Sequence, residues 1–169
     1  MKIASFNING IKARIQLLKE WLKKENPDII GLQELKSDNS NLNKNMFADL
    51  GYSFAYNGQK SYNGCGILSK HEIKNTSYFF NGIQEDPQKR WISAEINEIL
   101  ICNLYLPNGN PLGTKKFEYK IHWMKLLYNY LKELQSNGKP IVVMGDFNII
   151  PQDIDCKSPK KWINDALYD

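Results

Sequence analysis

The chain is short of the residues that most often announce chemistry. It holds two histidines, His71 and His122, and three cysteines, Cys65, Cys102 and Cys156, with no Cys-x-x-Cys spacing. An odd, scattered set of thiols indicates neither a zinc site nor a paired disulfide framework, and reads as reduced cysteine. Arginine is equally scarce: only Arg14 and Arg90 stand among the 22 basic residues. The abundance of Lys, Asn and Ile looks like codon bias in an AT-rich genome, so a lysine-rich surface says little about function. Long apolar runs are missing. The longest, such as Ile141 to Met144, are a few residues, against roughly 20 needed to cross a bilayer. The N-terminus has one lysine and then a stretch broken by Asn7 and Asn9, with no apolar core or small-residue cleavage site of a secretion signal. The expectation is a cytoplasmic protein with no membrane association. Repeats, low-complexity tracts and Pro/Ser-rich linkers are absent too, so nothing divides the chain into two domains.

What is present fits an ordinary globular domain. The 169 residues are 42% hydrophobic and 24% charged, which excludes a disordered, collagen-like or disulfide-scaffold protein. A net charge of +4 and a pI near 8.8 fall short of the pI of about 9 that marks a strong nucleic-acid footprint. Charge alone therefore decides nothing about partners.

Hydrophobic spacing predicts alternating strands and helices. Lys2 to Phe6 reads as a strand, and Ile11, Ile15, Leu18 and Leu22 form one face of a helix that Pro27 stops. Asp28 to Gln33 reads as a buried strand, and Leu42, Met46 and Leu50 predict a second, shorter helix ended by Gly51. Strand-like segments follow at Tyr52 to Tyr56, Cys65 to Ser69, Ile73 to Phe80, Trp91 to Ile96 and Leu100 to Leu106. They are divided by turn signals such as Asn57-Gly58 and Asn63-Gly64. Phe117, Ile121, Met124, Leu127, Leu131 and Leu134 then mark a long helix, and Ile141 to Gly145 a last strand. This order implies an α/β protein with a mixed sheet covered by helices.

Several predicted strands end in polar residues that a plain core strand does not require: Asn7, Glu34, Tyr105 and the pair Asp146 and Asn148. In open α/β sheets ligands gather outside the carboxyl ends of strands, where the loops converge. Carboxylates beside amides, with no Cys/His cluster, make a hard oxygen site suited to Mg²⁺ or Mn²⁺. Such a metal acts on phosphate, while a second carboxylate orients or deprotonates the attacking water. Asn and Asp beside glycine are also common turn formers, so each residue alone is ambiguous and the group carries the signal.

Three stretches, Ser5-Phe6-Asn7-Ile8-Asn9-Gly10, Pro27 through Glu34 (PDIIGLQE) and Met144 through Pro151 (MGDFNIIP), resemble the exodeoxyribonuclease III group of abasic-site endonucleases within the endonuclease/exonuclease/phosphatase superfamily. The loop Gly58 to Gly64 (GQKSYNG), Arg90 opening a strand, and Tyr105 to Gly109 (YLPNG) follow in the family's order and favour its DNA-repair branch. The resemblance implies a four-layer α/β-sandwich, two mixed sheets flanked by helices. It further implies metal-dependent cleavage of double-stranded DNA on the 5′ side of an abasic site, and removal of nucleotides or blocking groups from 3′ ends. Carried over, Glu34 is the principal metal ligand and Asn7 helps to hold the metal or its water. Tyr105 contacts the scissile phosphate, Asp146 positions or activates the nucleophile, and Asn148 orients it. Arg90, Lys60 and Asn108 fall at DNA-backbone positions. The cofactor implied is Mg²⁺, with Mn²⁺ as a substitute, and no obligate protein partner is expected.

The same resemblance marks a departure. Family members run about a hundred residues longer, and their last third carries a further catalytic aspartate and a closing Ser-Asp-His motif. Residues 1–169 therefore read as a single, C-terminally truncated domain, expected to be poorly stable or self-associating. Two alternatives stay open: an inactive remnant or DNA-binding module, and a superfamily phosphatase acting on a small or lipid phosphoester. His71 and His122 match no catalytic histidine, Tyr78 to Phe80 read as core aromatics, and Lys157, Lys160 and Lys161 as a solvated face. Cys65-Gly66, small for a buried strand, is expected to loosen packing.

Overall fold

A computed structural model describes residues 1–168, and they form four layers. Strands β1 (Ile3–Asn7), β2 (Ile29–Gln33), β3 (Ser53–Asn57) and β4 (Cys65–Ser69) make one sheet in the order β1-β2-β4-β3. Strands β5 (Lys74–Ser77), β6 (Trp91–Ile96), β7 (Ile99–Tyr105) and β8 (Ile141–Asp146) make the second, in the order β5-β6-β7-β8. Both are mixed. β1 runs parallel to β2 and β8 parallel to β7, while the remaining pairs are antiparallel. Helix α1 (Ile11–Glu25) covers the first sheet and α2 (Lys115–Ser136) the second.

Three apolar cores fill the three gaps between the four layers. Ile11, Leu18 and Leu22 of α1 pack on Ile30, Leu32, Phe54 and Leu68. Ile29, Cys65, Ile67, Ile92, Ala94, Ile101 and Met144 lie between the sheets. Trp91, Cys102 and Leu104 meet Trp123 and Leu127 of α2. The period of two along each strand assigns alternate residues to opposite gaps. That alternation turns Ser5, Gln33, Asn103 and Met144 toward the space between the sheets.

The polar members of this inner layer are hydrogen-bonded across it. Asn103 of β7, fully buried, donates through Nδ2 to the carbonyls of Leu32 (2.9 Å) and Gly66 (2.8 Å), and its Oδ1 accepts from Gln33 Nε2 at 2.6 Å. Gln33 Nε2 also reaches Ser5 Oγ at 3.1 Å. One amide thus joins β7 to both β2 and β4, in a gap where an unpaired polar group is costly.

Sequence and structure differ in four places. The helix expected over Leu42 to Leu50 is two isolated 3₁₀ turns, Asn39–Asn41 and Ala48–Leu50. Met46 and Leu50 pack on the α1 core and Leu42 is part of it, so tertiary burial satisfies the apolar spacing without a helix. The strand expected over Ile73 to Phe80 is only Lys74–Ser77; Phe80 is core, but Tyr78 and Phe79 are about half exposed. The buried line of α2 is Lys120, Trp123 and Leu127, shifted from the predicted stripe. Gly66 does not loosen packing: a Cβ there would stand 2.6 Å from the Phe54 ring, which fills that space.

No helix among the described residues is long and apolar enough to cross a membrane. The three cysteines are unpaired, Cys65 and Cys102 being buried. Burial pushes the Cys102 thiol up to about 12 and raises Cys65 as well, which suits inert core thiols.

Two outcomes follow from this architecture. Asn103→Leu removes the donor of Leu32 O and Gly66 O and a partner of Gln33, and is expected to cost about 2–3 kcal/mol of stability, measured by urea denaturation. β8 pairs only with β7 among the described residues, and Phe147, Ile154 and Ile163 beyond it are exposed. A free edge beside apolar side chains favours association, so sedimentation velocity is expected to show concentration-dependent self-association; a monomer at every concentration would refute it.

Candidate active site

The carboxyl ends of β1, β2, β7 and β8 meet at one end of the gap between the sheets. β1 and β2 are parallel, and so are β7 and β8, so each pair delivers two chain ends to the same side. Asn7 ends β1, Glu34 follows β2, Tyr105 ends β7 opposite Asp146 of β8, and Asn148 lies in the turn beyond. Ser5, Gln33, Asn103 and Met144 occupy the same inner layer further along, so the site is the open mouth of the buried amide network.

Asn7 is its centre. Its Nδ2 donates to Glu34 Oε1 at 2.9 Å and to Asp146 Oδ2 at 2.8 Å, joining a carboxylate from each sheet. Asn7 Oδ1 accepts from the backbone N–H of Asn9 at 3.0 Å, which fixes the amide's orientation. Asp146 follows Gly145, where a Cβ would stand 2.0 Å from the carbonyl oxygen of Leu104 and φ is +145°. Glycine is therefore required for β8 to lie against β7 at this point. Asp146 Oδ1 accepts from Asn148 N at 3.0 Å, and Asn148 Nδ2 donates to Leu106 O at 2.8 Å.

Backbone strain concentrates here. Glu34, Lys36 and Asn148 adopt φ of 54°, 50° and 46°, a region that non-glycine residues seldom occupy and that recurs at functional sites. The turn at Glu34 is held by Leu35 N–H on Gly64 O (3.1 Å) and Lys36 N–H on Asn63 O (3.0 Å), so the Gly58 to Gly64 loop buttresses it from the side.

Burial raises the Glu34 carboxyl, but hydrogen bonds from Lys36, Asn7 and Tyr105 outweigh it and hold the group below its ordinary value of 4.5. Lys36 Nζ lies 2.7 Å from Glu34 Oε2. Tyr105 shows the converse: burial, and then its hydrogen bond to the ionised Glu34, push the phenol up to about 12. Tyr105 is thus a neutral O–H donor across the working range. The Arg90 guanidinium stacks 4.9 Å from the centre of its ring and donates to Tyr105 O (3.1 Å) and Gln88 Oε1 (2.8 Å), which locks it beside the phenol.

Of the DNA-backbone candidates, Arg90 touches this cluster through Tyr105, while no hydrogen bond or ion pair among the described residues joins Lys60 or the side chain of Asn108 to it. Arg90 and Asn108 line a neighbouring cleft of about 250 Å³ with Gln88, Lys116 and Tyr119. Asn108 Oδ1 accepts from Asn110 N at 3.1 Å, so part of its capacity is spent on its own turn. Lys60 is exposed on the Gly58 to Gly64 loop and makes no hydrogen bond or ion pair among the described residues. Neither histidine belongs to the site: His71 follows Ser69, at the opposite end of β2, and His122 is exposed on α2.

Some contributors carry no sequence signal strong enough to pick out. Lys120, only 2% exposed on α2, donates to the carbonyls of Asn108 (3.2 Å), Asn148 (2.8 Å) and Ala166 (2.7 Å). It ties the YLPNG turn and the Asp146 turn to one helix. On sequence it is one of many lysines; its position inside an apolar helical face, beside Trp123, is the only hint. Lys36 stands two residues beyond the end of the LQE motif, and Gln33 and Asn103 interrupt apolar strands.

No three His, Cys, Asp or Glu side chains gather as a metal cage among the described residues. The donor set still fits Mg²⁺, which binds through one or two carboxylates, water and substrate phosphate rather than an all-protein cage. Glu34 is ionised, half-buried and at the mouth, with Asp146 joined to it through one amide. Two carboxylates, one from each sheet, thus stand at the converging strand ends of a four-layer fold.

Comparison with known proteins agrees. The model of the Endonuclease/Exonuclease/phosphatase family matches residues 4–166, and the chain belongs to that family. Exodeoxyribonuclease III of Haemophilus influenzae is 36% identical over 172 residues, covering 96% of this chain and 64% of that protein. The structure of an AP endonuclease from Archaeoglobus fulgidus matches with a TM-score of 0.94 at 34% identity, over 100% of this chain and 65% of that one. A 3′-5′ exonuclease from Neisseria meningitidis gives 0.90 at 33% identity, over 97% and 64%. The chain thus spans just under two thirds of the length of each.

Two outcomes test the site's architecture. Because Glu34 is held below its ordinary pKa, its ionisation stabilises the fold above about pH 4.5, and that stability is lost as pH falls through the lower folded value. Glu34→Gln is expected to flatten the acid limb of stability against pH, followed by thermal melting. Lys120→Met leaves carbonyls without a donor and is expected to cost about 2–4 kcal/mol, read by urea denaturation.

Proposed function

We propose that this chain carries the Glu34–Asp146 part of a divalent-metal-dependent DNA repair nuclease. Its reaction is hydrolysis of the phosphodiester 5′ to an abasic site and removal of nucleotides or blocking groups from 3′ ends. The observation that carries this reading is the Asn7 amide joining Glu34 to Asp146, with a neutral Tyr105 hydroxyl and Arg90 alongside. The names of the relatives, exodeoxyribonuclease III, AP endonuclease and 3′-5′ exonuclease, support it. We read residues 1–169 as part of a single longer domain, working in the cytoplasm on double-stranded DNA.

In this reading Glu34 holds Mg²⁺, or Mn²⁺ in its place, and Asn7 steadies the carboxylate. The metal supplies neutralisation of phosphoryl charge and stabilisation of the leaving oxyanion. Tyr105 turns its single O–H from Glu34 to a non-bridging phosphate oxygen, and Arg90 adds positive charge behind it. Asp146 accepts the proton of the attacking water or orients it, while Asn148 keeps its carboxylate aimed through the backbone N–H. Arg90, Lys60 and Asn108 contact the DNA backbone, which fixes register rather than sequence. An abasic nucleotide leaves the stack at little cost.

A second reading has its own support. Arg90, Asn108 and Lys116 line one cleft beside Tyr119, a basic and polar lining suited to a nucleic-acid backbone. A DNA-binding module without turnover fits that lining. Incision of a duplex with one abasic site decides between them. The nuclease reading expects Mg²⁺-dependent cleavage that falls by about 100-fold or more in Glu34→Gln. Salt-sensitive duplex binding with no cleavage at any metal concentration supports the second.

A further inference from the structure

The ammonium of Lys36 sits where the chemistry of the site calls for a metal. It lies 2.7 Å from Glu34 Oε2 and 2.5 Å from Asn9 Oδ1. The other carboxylate oxygen, Oε1, is taken by Asn7 Nδ2 at 2.9 Å, and Tyr105 donates to the same group. Both Glu34 oxygens are therefore already engaged by hydrogen-bond donors. This is no chance surface pair. Glu34 and Lys36 both adopt left-handed φ, and the intervening backbone is pinned to Gly64 and Asn63. That strained turn brings a side chain two residues along the chain back onto the carboxylate. In an extended strand, residues i and i+2 also share a face, but nothing would hold them in contact.

We infer that Lys36 is an internal counter-ion that occupies the cation position at Glu34 in the metal-free protein, and that a divalent cation enters by displacing it. The inference rests on the reading of Glu34 as the metal-holding residue. Two cations cannot share one carboxylate oxygen at contact distance without strong repulsion, so ligation through Oε2 requires the ammonium to leave. Lys36 and Asn9 are near the surface, with about a third of the Lys36 side chain exposed, so the ammonium has solvent to move into. The exchange keeps Glu34 ionised and its turn ordered before metal arrives. It also weakens binding of a lone divalent ion, so that uptake is favoured once a DNA phosphate adds its own charge.

The test uses the whole chain and Mn²⁺ as the probe, with affinity read by isothermal titration calorimetry. Lys36→Met is expected to bind Mn²⁺ roughly three- to tenfold more tightly, the gain for deleting one partly exposed ion pair. Lys36→Arg keeps the charge and is expected to stay within about twofold of the parent. Lys24→Met, at the far end of α1, controls for a change in net charge and is expected to have no effect. The second readout needs no variant: acetylation of Lys36 by a small anhydride, followed by mass spectrometry, is expected to be slow without metal and several-fold faster at saturating Mg²⁺. Unchanged or weaker Mn²⁺ binding in Lys36→Met, or acetylation indifferent to metal, overturns the inference while leaving Glu34 as the ligand. Mn²⁺ affinity untouched by Glu34→Gln overturns the site assignment itself, and the displacement with it.

Discussion

The buried amide of Asn103 sets the relation between the two sheets on which everything else rests. Apolar packing between sheets is tolerant of small slides, because dispersion and burial are not directional. Hydrogen bonds from one side chain to Leu32, Gly66 and Gln33 are not tolerant, since a shift of an ångström or two would leave buried polar atoms unpaired. The amide therefore converts a greasy interface into one with a defined register. That register places the end of β1 opposite the end of β8, and with it Asn7 between Glu34 and Asp146.

From there the site is built by repeated use of one device: a fully committed hydrogen-bond partner that leaves no freedom to the group beside it. Asn7 is oriented by the Asn9 N–H before it bridges the two carboxylates. Tyr105 is flanked by Arg90, itself tied to Gln88. Asn148 is held by Leu106 on one side and by Lys120, through its carbonyl, on the other. Such preorganisation fixes the dipoles around the two carboxylates, so that electrostatics can act there without the cost of reorienting them. Lys120 belongs to the same scheme from outside the site, since a buried ammonium among carbonyls fixes two loops at once.

Much of this was legible from residue order. The strand ends carrying Asn7, Glu34, Tyr105 and Asp146 stand out because polar groups there are not needed for a core, and the family comparison agrees with the motifs around them. Other features were hidden for physical reasons. Asn103 and Gln33 look like blemishes in apolar strands until their partners on the other sheet are known. Leu42, Met46 and Leu50 carry helical spacing, yet burial against α1 is achieved by short turns instead. Gly66 looks like a packing defect, but the Phe54 ring that needs its space comes from a neighbouring strand.

The amino-acid sequence by itself determined the class of fold, the strands that carry the site and the carboxylate-and-amide make-up of that site, because these depend on periodicity and on residue type. Tertiary structure alone decided that Asn7 would bridge two sheets, that Lys36 would turn back onto Glu34, and that a lysine on a helix would hold two distant loops. Those outcomes depend on left-handed turns and on contacts between residues 12 to 139 positions apart. No local pattern encodes such contacts, because their energy exists only once the sheets have met.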